Sequence, residues 1–355
     1  MSDDHKSRLW PGAALALGSA LLFGIATPFS KLLIGGIDPQ MLAGLLYLGA
    51  GIGLAGVHLG RGALGMPAPE APLKRADIPW LAAVVFFGGM LGPLFLMLGI
   101  ARTDASSASL LLNLEGLATM AIAWIVFREN VDRRLLLGAI SILGGAAVLS
   151  WQGHGFSAGG GSLYIVAACL AWGIDNNLTR KLSAGDPVVI AMVKGLVAGA
   201  VNLGIALIKG AALPPAATLL AAAALGFLAI GVSLVLFIRA LRYLGTARTG
   251  AYFSLAPFIG AVVAILLLHE PMTETLLLAG VLIGFGLWLH LAERHEHGHQ
   301  HDALEHEHSH SHEDAHHDHV HDGPVSEPHS HPHRHRRVRH SHVHYPDLHH
   351  RHSHD

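Results

Sequence analysis

Charge and thiols are both scarce in this chain. Only 14% of its 355 residues are Asp, Glu, Lys or Arg, far below the share a soluble domain uses to cover its surface. Cys169 is the single cysteine, which excludes an intramolecular disulfide and any thiolate metal cluster within one chain. The formal net charge of −2 hides a segregated pattern and gives no basic footprint, so no nucleic-acid partner is expected. Nucleophile elbows, phosphate loops and supported metal triads are also missing, which leaves no enzyme reading.

What fills the chain is apolar sequence, 52% of the residues. Windows of about 18–25 apolar residues, long enough to cross a hydrocarbon core of ~30 Å at ~1.5 Å per residue, recur from residue 11 to about 292. They predict spans at 11–34, 39–60, 78–101, 105–127, 135–151, 162–180, 188–208, 216–239, 247–268 and 274–292. The polar start Met1–Trp10 resembles the head of a signal peptide, but the first apolar run is too long for one and is read as an uncleaved helix.

With the N-terminus inside, 14 Lys and Arg of the loops and ends fall on the cytoplasmic side, and only Arg102 and Lys209 fall opposite. That bias puts both ends of the chain in the cytoplasm of a bacterial-type inner membrane.

The chain also repeats itself. Residues 102–150 align without a gap on 243–291, at a constant offset of 141. Within them SLLLNLEGLATMAIAWIVFREN (Ser109–Asn130) matches GAYFSLAPFIGAVVAILLLHEP (Gly250–Pro271), so Glu129 meets Glu270. FGIATPFSK (Phe23–Lys31) matches WGIDNNLTR (Trp172–Arg180), and the IDP at Ile37–Pro39 parallels the GDP at Gly185–Pro187. Five spans per half is an odd number, so the second half must sit inverted. The charges agree, because RENVDRR at 128–134 is basic whereas its mate HEPMTET at 269–275 carries neither Lys nor Arg. Inverted pairs of this kind build carriers whose halves rock about a midplane site.

The aromatic-Gly motifs ending in Lys31 and Arg180, the small-residue fourth helix with its acidic RE or HE end, and the Gly-rich fifth helix resemble the EamA-type family of the drug/metabolite transporter superfamily. The resemblance covers residues 11–292. It implies an all-α integral membrane fold of ten transmembrane helices in two inverted five-helix repeats, here 11–151 and 162–292, flanked by a cytoplasmic N-terminus (1–10) and a His-rich cytoplasmic tail (293–355). The chain departs from the pattern where Pro257 of the second half is replaced by Gly116 in the first, next to an unusual Glu115.

A charge within a span costs at least about 2.5–3.5 kcal/mol at the bilayer centre, so each calls for a partner, a water-filled cavity or a function. Glu115 lies near the middle of the fourth span with no partner evident at its level, which makes it a candidate for proton exchange or substrate binding. The bland account is a neutral acid hydrogen-bonded to Asn113 or to a neighbouring helix. Asp175 and Lys194 lie at similar distances from the turn joining the sixth and seventh spans, so an antiparallel hairpin brings them to one depth. They read equally as a structural ion pair or as a charged cavity wall, with Asn176 and Asn177 adding donors and acceptors. Lys31, a repeat mate of Arg180, is read as snorkelling to headgroups or pairing with an acid. Tyr47, Trp172, Tyr252 and Ser254 are candidate cavity-lining groups, against the plainer reading of packing and interfacial belts. Gly49/Gly53, Gly195/Gly199 and Gly280/Gly284 fit close helix crossings.

After Arg294 the sequence changes character, holding 23 of the 28 histidines together with acids and arginines. It has no apolar period and is expected to be disordered without a ligand. The clusters His295, His297, His299; His306, His308, His310, His312; and His316, His317, His319, His321 suit Zn, Ni, Co or Cu, bound collectively. Three H-E-x-x-H matches arise there by composition, without the packed helix a metalloprotease needs. Mild acidification would also charge the tail, so pH sensing is a rival. The expected partners are thus the lipid bilayer, a small-molecule substrate and metal ions, with no cofactor required. The oligomeric state, a homodimer included, stays open.

The leading reading is a secondary carrier for a small organic solute. Its rivals are a transition-metal exporter fed by the tail and a non-transporting membrane-anchored metal sensor or store.

Overall fold

The computed structural model describes residues 3–343 apart from 66–72, 128–132, 151–159, 180–181, 183–185, 238, 241–248, 250–251, 292–295, 302–304, 311–328 and 335–337. Arg180, Glu129, His295, His312, His316, His317, His319 and His321 therefore lie outside the described residues.

The membrane part is helical. In chain order, α1 is Asp3–Ile34 and α2 is Pro39–Ala63. Helix α3 runs Ile78–Val84, a π-helical turn Val85–Leu91, then Gly92–Ile100, and α4 is Ala105–Leu111 followed by Leu114–Phe127. Then come α5 (Arg133–Ser150), α6 (Gly160–Thr179), α7 (Pro187–Ile208), α8 (Ala216–Leu225 and a second π turn, Gly226–Val232), α9 (Ala256–Leu268) and α10 (Glu274–Leu291). Asp38 and Asp186 start α2 and α7 in the same way, the Asp38 side chain accepting from the N–H groups of Gln40 and Met41 and that of Asp186 from Val188, with a proline just inside each helix.

Among the described residues six helices are long and apolar enough to cross a membrane, and Leu136–Leu149, Ala256–Leu268 and Glu274–Leu289 are shorter apolar helices. Their outward faces carry Leu21, Ile52, Leu59, Ile125, Leu266 and Trp288, all more than half exposed. That surface is made for lipid.

The main packing crosses between the halves. Helix α2 lies on α7, α5 on α10, α1 on α9, and α4 on α6; α3 reaches α6 as the second π turn reaches α1. Neither half has a core of its own. The α2–α7 and α2–α8 crossings are close because glycines line them. A Cβ at Gly199 would fall on the Leu48 backbone, one at Gly195 on the backbone of Gly51, and one at Gly49 on the Ala223 backbone. With lipid as apolar as the side chains, this contact between backbones is what holds membrane helices together. Gly280 and Gly284 differ from expectation, since an added Cβ would meet only Leu110 and Phe258 at ordinary distances of 3.7–3.9 Å.

Two interruptions recur about 141 residues apart. The π turns at 85–91 and 226–232 stand at that offset. The breaks in α4 at 112–113 and before α9 at 254–255 stand one residue off that spacing. The expected span 247–268 is therefore divided, with Pro257 in the first turn of α9. The α4 break has no proline. There Asn113 donates its side-chain amide to the Leu110 carbonyl at 2.9 Å, competing with the helix ladder.

At one end of the bundle, His269 adopts a left-handed conformation, φ 54°, to end α9. This turn aims Glu270 across the bundle, where its two carboxylate oxygens accept from the backbone N–H groups of Ala105 and Ser106, each at 2.8 Å. Lys31 turns inward and meets no acid among the described residues. It donates to the carbonyls of Ile100 and Thr103 at 2.7 and 2.8 Å, closing the C-terminal end of α3.

The described backbone of the tail forms two antiparallel ladders, β1 (Glu296–His301) with β4 (Val338–Val343) and β2 (Glu305–His310) with β3 (His329–Arg334). Alternation of His with other residues has the period of a strand, which composition alone did not reveal. The register sets His297 opposite His342, His299 opposite His340, and His306, His308 and His310 opposite His333, His331 and His329.

Candidate functional site

The polar groups of the membrane interior gather where α6 meets α3, α4 and α7. Asp175 and Lys194 pair at 2.5 Å, with side chains only 6% and 14% exposed. Thr179, one turn along α6, donates to the other Asp175 oxygen at 3.3 Å. The equal-depth reading of these residues holds. Space for the pair comes from the first π turn, because a Cβ on Gly88 would overlap both the Asp175 carboxylate and the Lys194 ammonium.

The same turn offers spare carbonyls, as a widened helix does. Gly88 accepts from the Tyr47 hydroxyl at 2.9 Å and from the Trp172 indole at 3.0 Å, and Met90 accepts from Asn202 at 3.2 Å. Tyr47 and Trp172 thus belong to the site as donors that fix the turn. Asn202 was missed because a lone amide on an apolar helix carries no pattern.

Glu115 sits in the first turn of the second α4 segment, at a helix start created inside the membrane. Its backbone position favours negative charge. It is not isolated, as expected from its level alone: Asn176 on α6 donates to Glu115 at 3.0 Å and to Thr119 at 3.2 Å. Asn113 is turned to its own helix instead. Asn177 donates to the Thr119 and Gly173 carbonyls at 3.1 and 2.8 Å, joining α6 to α4. Adjacent residues of α6 therefore serve two clusters, Asp175 facing Lys194 and Asn176 facing Glu115.

Tyr252 packs elsewhere, beside Leu15 on the Ala16 and Ala240 contact. Ser254 lies at the break before α9.

Next to Lys194 an open cleft of about 40 Å³ is lined by Tyr47, Ala50 and Leu54 of α2, Ala191 and Gly195 of α7, and Ile230, Gly231 and Leu234 of α8. The arrangement, a buried Asp175–Lys194 pair and a half-buried Glu115 carboxylate between packed halves, is not what a membrane anchor needs.

These features define a multi-pass membrane transporter. The EamA-like transporter family model matches twice, over residues 10–151 and 159–292, and the chain belongs to that family. It is 30% identical over 300 residues to an uncharacterized transporter of Methanothermobacter thermautotrophicus, spanning 80% of this chain and 87% of that one. It is 25% identical over 250 residues to a probable terminal-alkyne amino-acid exporter of Streptantibioticus cattleyicolor, spanning 70% and 83%. A crystal structure of another protein superposes with a TM-score of 0.58 at 18% identity, covering 79% of this chain and 95% of that one, and shares the fold.

Proposed function

We propose that the protein is a secondary transporter that moves a small organic solute across a bacterial-type inner membrane by alternating access of two inverted five-helix halves, ten spans in all, with both ends in the cytoplasm. The observation that carries this is the interior charge set. Glu115 of the first half is held by Asn176 of α6 in the second, and the neighbouring Asp175 of α6 pairs with Lys194 of α7, so each charge has a polar partner inside the bundle. Glu115 is the proton-exchanging group, since its one side-chain partner among the described residues, an amide, serves either protonation state. The tail collects divalent transition metal through its histidines and buffers or senses it.

The test is exchange of radiolabelled solutes by the full chain in sealed vesicles, with wild type and Glu115→Gln. The amide can still accept from Asn176, so the variant folds, keeps solute counterflow and loses acceleration by an imposed proton gradient. In cells lacking the chromosomal copy, nickel, cobalt and zinc contents are expected not to differ between full-length chain and Glu115→Gln. If deletion raises metal content and Glu115→Gln fails to restore efflux while expressing normally, metal is the cargo and the organic-solute reading is wrong.

A further inference from the structure

Helix α4 begins beside a residue suited to cap it that does not. Asp104 holds φ −62° and ψ 144°, close to the −56° and 134° of Asp38 and the −63° and 115° of Asp186, yet its side chain makes no cap bond, whereas theirs cap α2 and α7. Aspartate is among the preferred residues at this position. Asp104 is exposed, so with its backbone already set its carboxylate needs only a side-chain rotation to reach the first turn. The donors there are taken from across the bundle instead, the Ala105 and Ser106 N–H groups each bonding one Glu270 oxygen at 2.8 Å.

The seams around this turn differ in kind. Helices α1 and α9 meet backbone to backbone, since a Cβ on Gly24 would fall on the Ala256 carbonyl. Where α9 meets α4, Gly260 faces the Ser109 side chain, whose hydroxyl is buried with no hydrogen-bond partner among the described residues. The α3–α4 turn is then gripped from two sides, Lys31 of α1 on the carbonyls of Ile100 and Thr103 and Glu270 on the two N–H groups. A rival acceptor, Asp104, stands beside the second grip.

From this we infer that the start of α4 is a two-state latch. Glu270 caps it while this end of the bundle is closed, and Asp104 takes over the same N–H groups when Glu270 withdraws and the end opens. Because one carboxylate replaces another, the helix start is capped in both states, which keeps them close in free energy and lets them interchange. The loop charges put this end outside the cell, so the latch governs the outer mouth. The inference rests on the alternating-access reading for its purpose, while the exchange of caps stands on the geometry of α4.

The test uses the full chain in right-side-out membrane vesicles, with Ser109→Cys as reporter and an impermeant methanethiosulfonate as probe. The labelling rate reads how often the seam between α4 and α9 opens. Cys169, 1% exposed on α6, is the internal control for general loosening. Glu270→Ala is expected to speed labelling of Ser109→Cys about tenfold, and Asp104→Ala to slow it about fivefold, as the loss of one cap shifts an equilibrium. Neither substitution is expected to change the reaction of Cys169. If Asp104 and Glu270 merely stiffened the turn, both substitutions would speed labelling, and that result overturns the inference. So does an unchanged rate in both, or a Cys169 that reacts in step with the reporter. A rise seen only in inside-out vesicles overturns it too, because the latch would then close the cytoplasmic mouth. Labelling with the expected signs holds whether or not solutes exchange, and unchanged labelling in a protein that exchanges solutes sinks the latch alone, so the two readings fail separately.

Discussion

Replacing Lys194 by methionine keeps the volume of the side chain and removes its charge, which leaves the Asp175 carboxylate in a site only 6% exposed. Its remaining partner among the described residues is the Thr179 hydroxyl at 3.3 Å. The cost of stranding an ionised group this way is about 3–5 kcal/mol. Asp175→Asn/Lys194→Met removes both charges and is expected to cost about 1 kcal/mol. Reversible unfolding in mixed micelles, run on the wild type, Lys194→Met, Asp175→Asn and the double variant, measures the coupling directly. Equal costs for the single and double variants would refute the reasoning.

Glu270→Gln replaces a carboxylate that accepts from the N–H groups of Ala105 and Ser106 and is expected to lose about 1–2 kcal/mol, with Glu270→Ala losing more, read by the same unfolding experiment. Gly226→Ala places a Cβ onto the Leu46 carbonyl, so the expected result is loss of the monodisperse peak in size exclusion. Gly284→Ala, with its nearest neighbour at 3.7 Å, is expected to behave as wild type in the same experiment. A cysteine introduced at exposed Arg102 is expected to react with an impermeant thiol reagent from outside intact cells, and labelling only after lysis would reverse the assigned orientation. Titration of the full chain with nickel or zinc is expected to show several sites that vanish on truncation after Arg294.

The helices were legible because a span needs a fixed number of apolar residues, and predicted and observed ends of α2, α7 and α10 differ by a few positions at most. The Asp175–Lys194 pair was also legible, as counting outward from a short turn gives depth in an antiparallel hairpin. Asn176 as the partner of Glu115 was not, because the two are 61 residues apart on different helices and only packing between halves joins them. The Glu270 cap and the Lys31 contacts were hidden for the same reason. The π turns have no residue signature in either half, and Gly88 shows its purpose only beside the pair it makes room for.

The cross-packed halves also set a timetable for the chain's own manufacture. When α2 leaves the ribosome its glycine-lined face has no partner, for α7 follows roughly 150 residues later. At ~5–20 residues per second the gap is on the order of 10–30 s. Throughout that interval the faces of Gly44, Gly49 and Gly51, and the Gly88 notch awaiting its ion pair, lie open to lipid or to the insertion machinery. The first half must therefore wait, unassembled, for the second half to finish it.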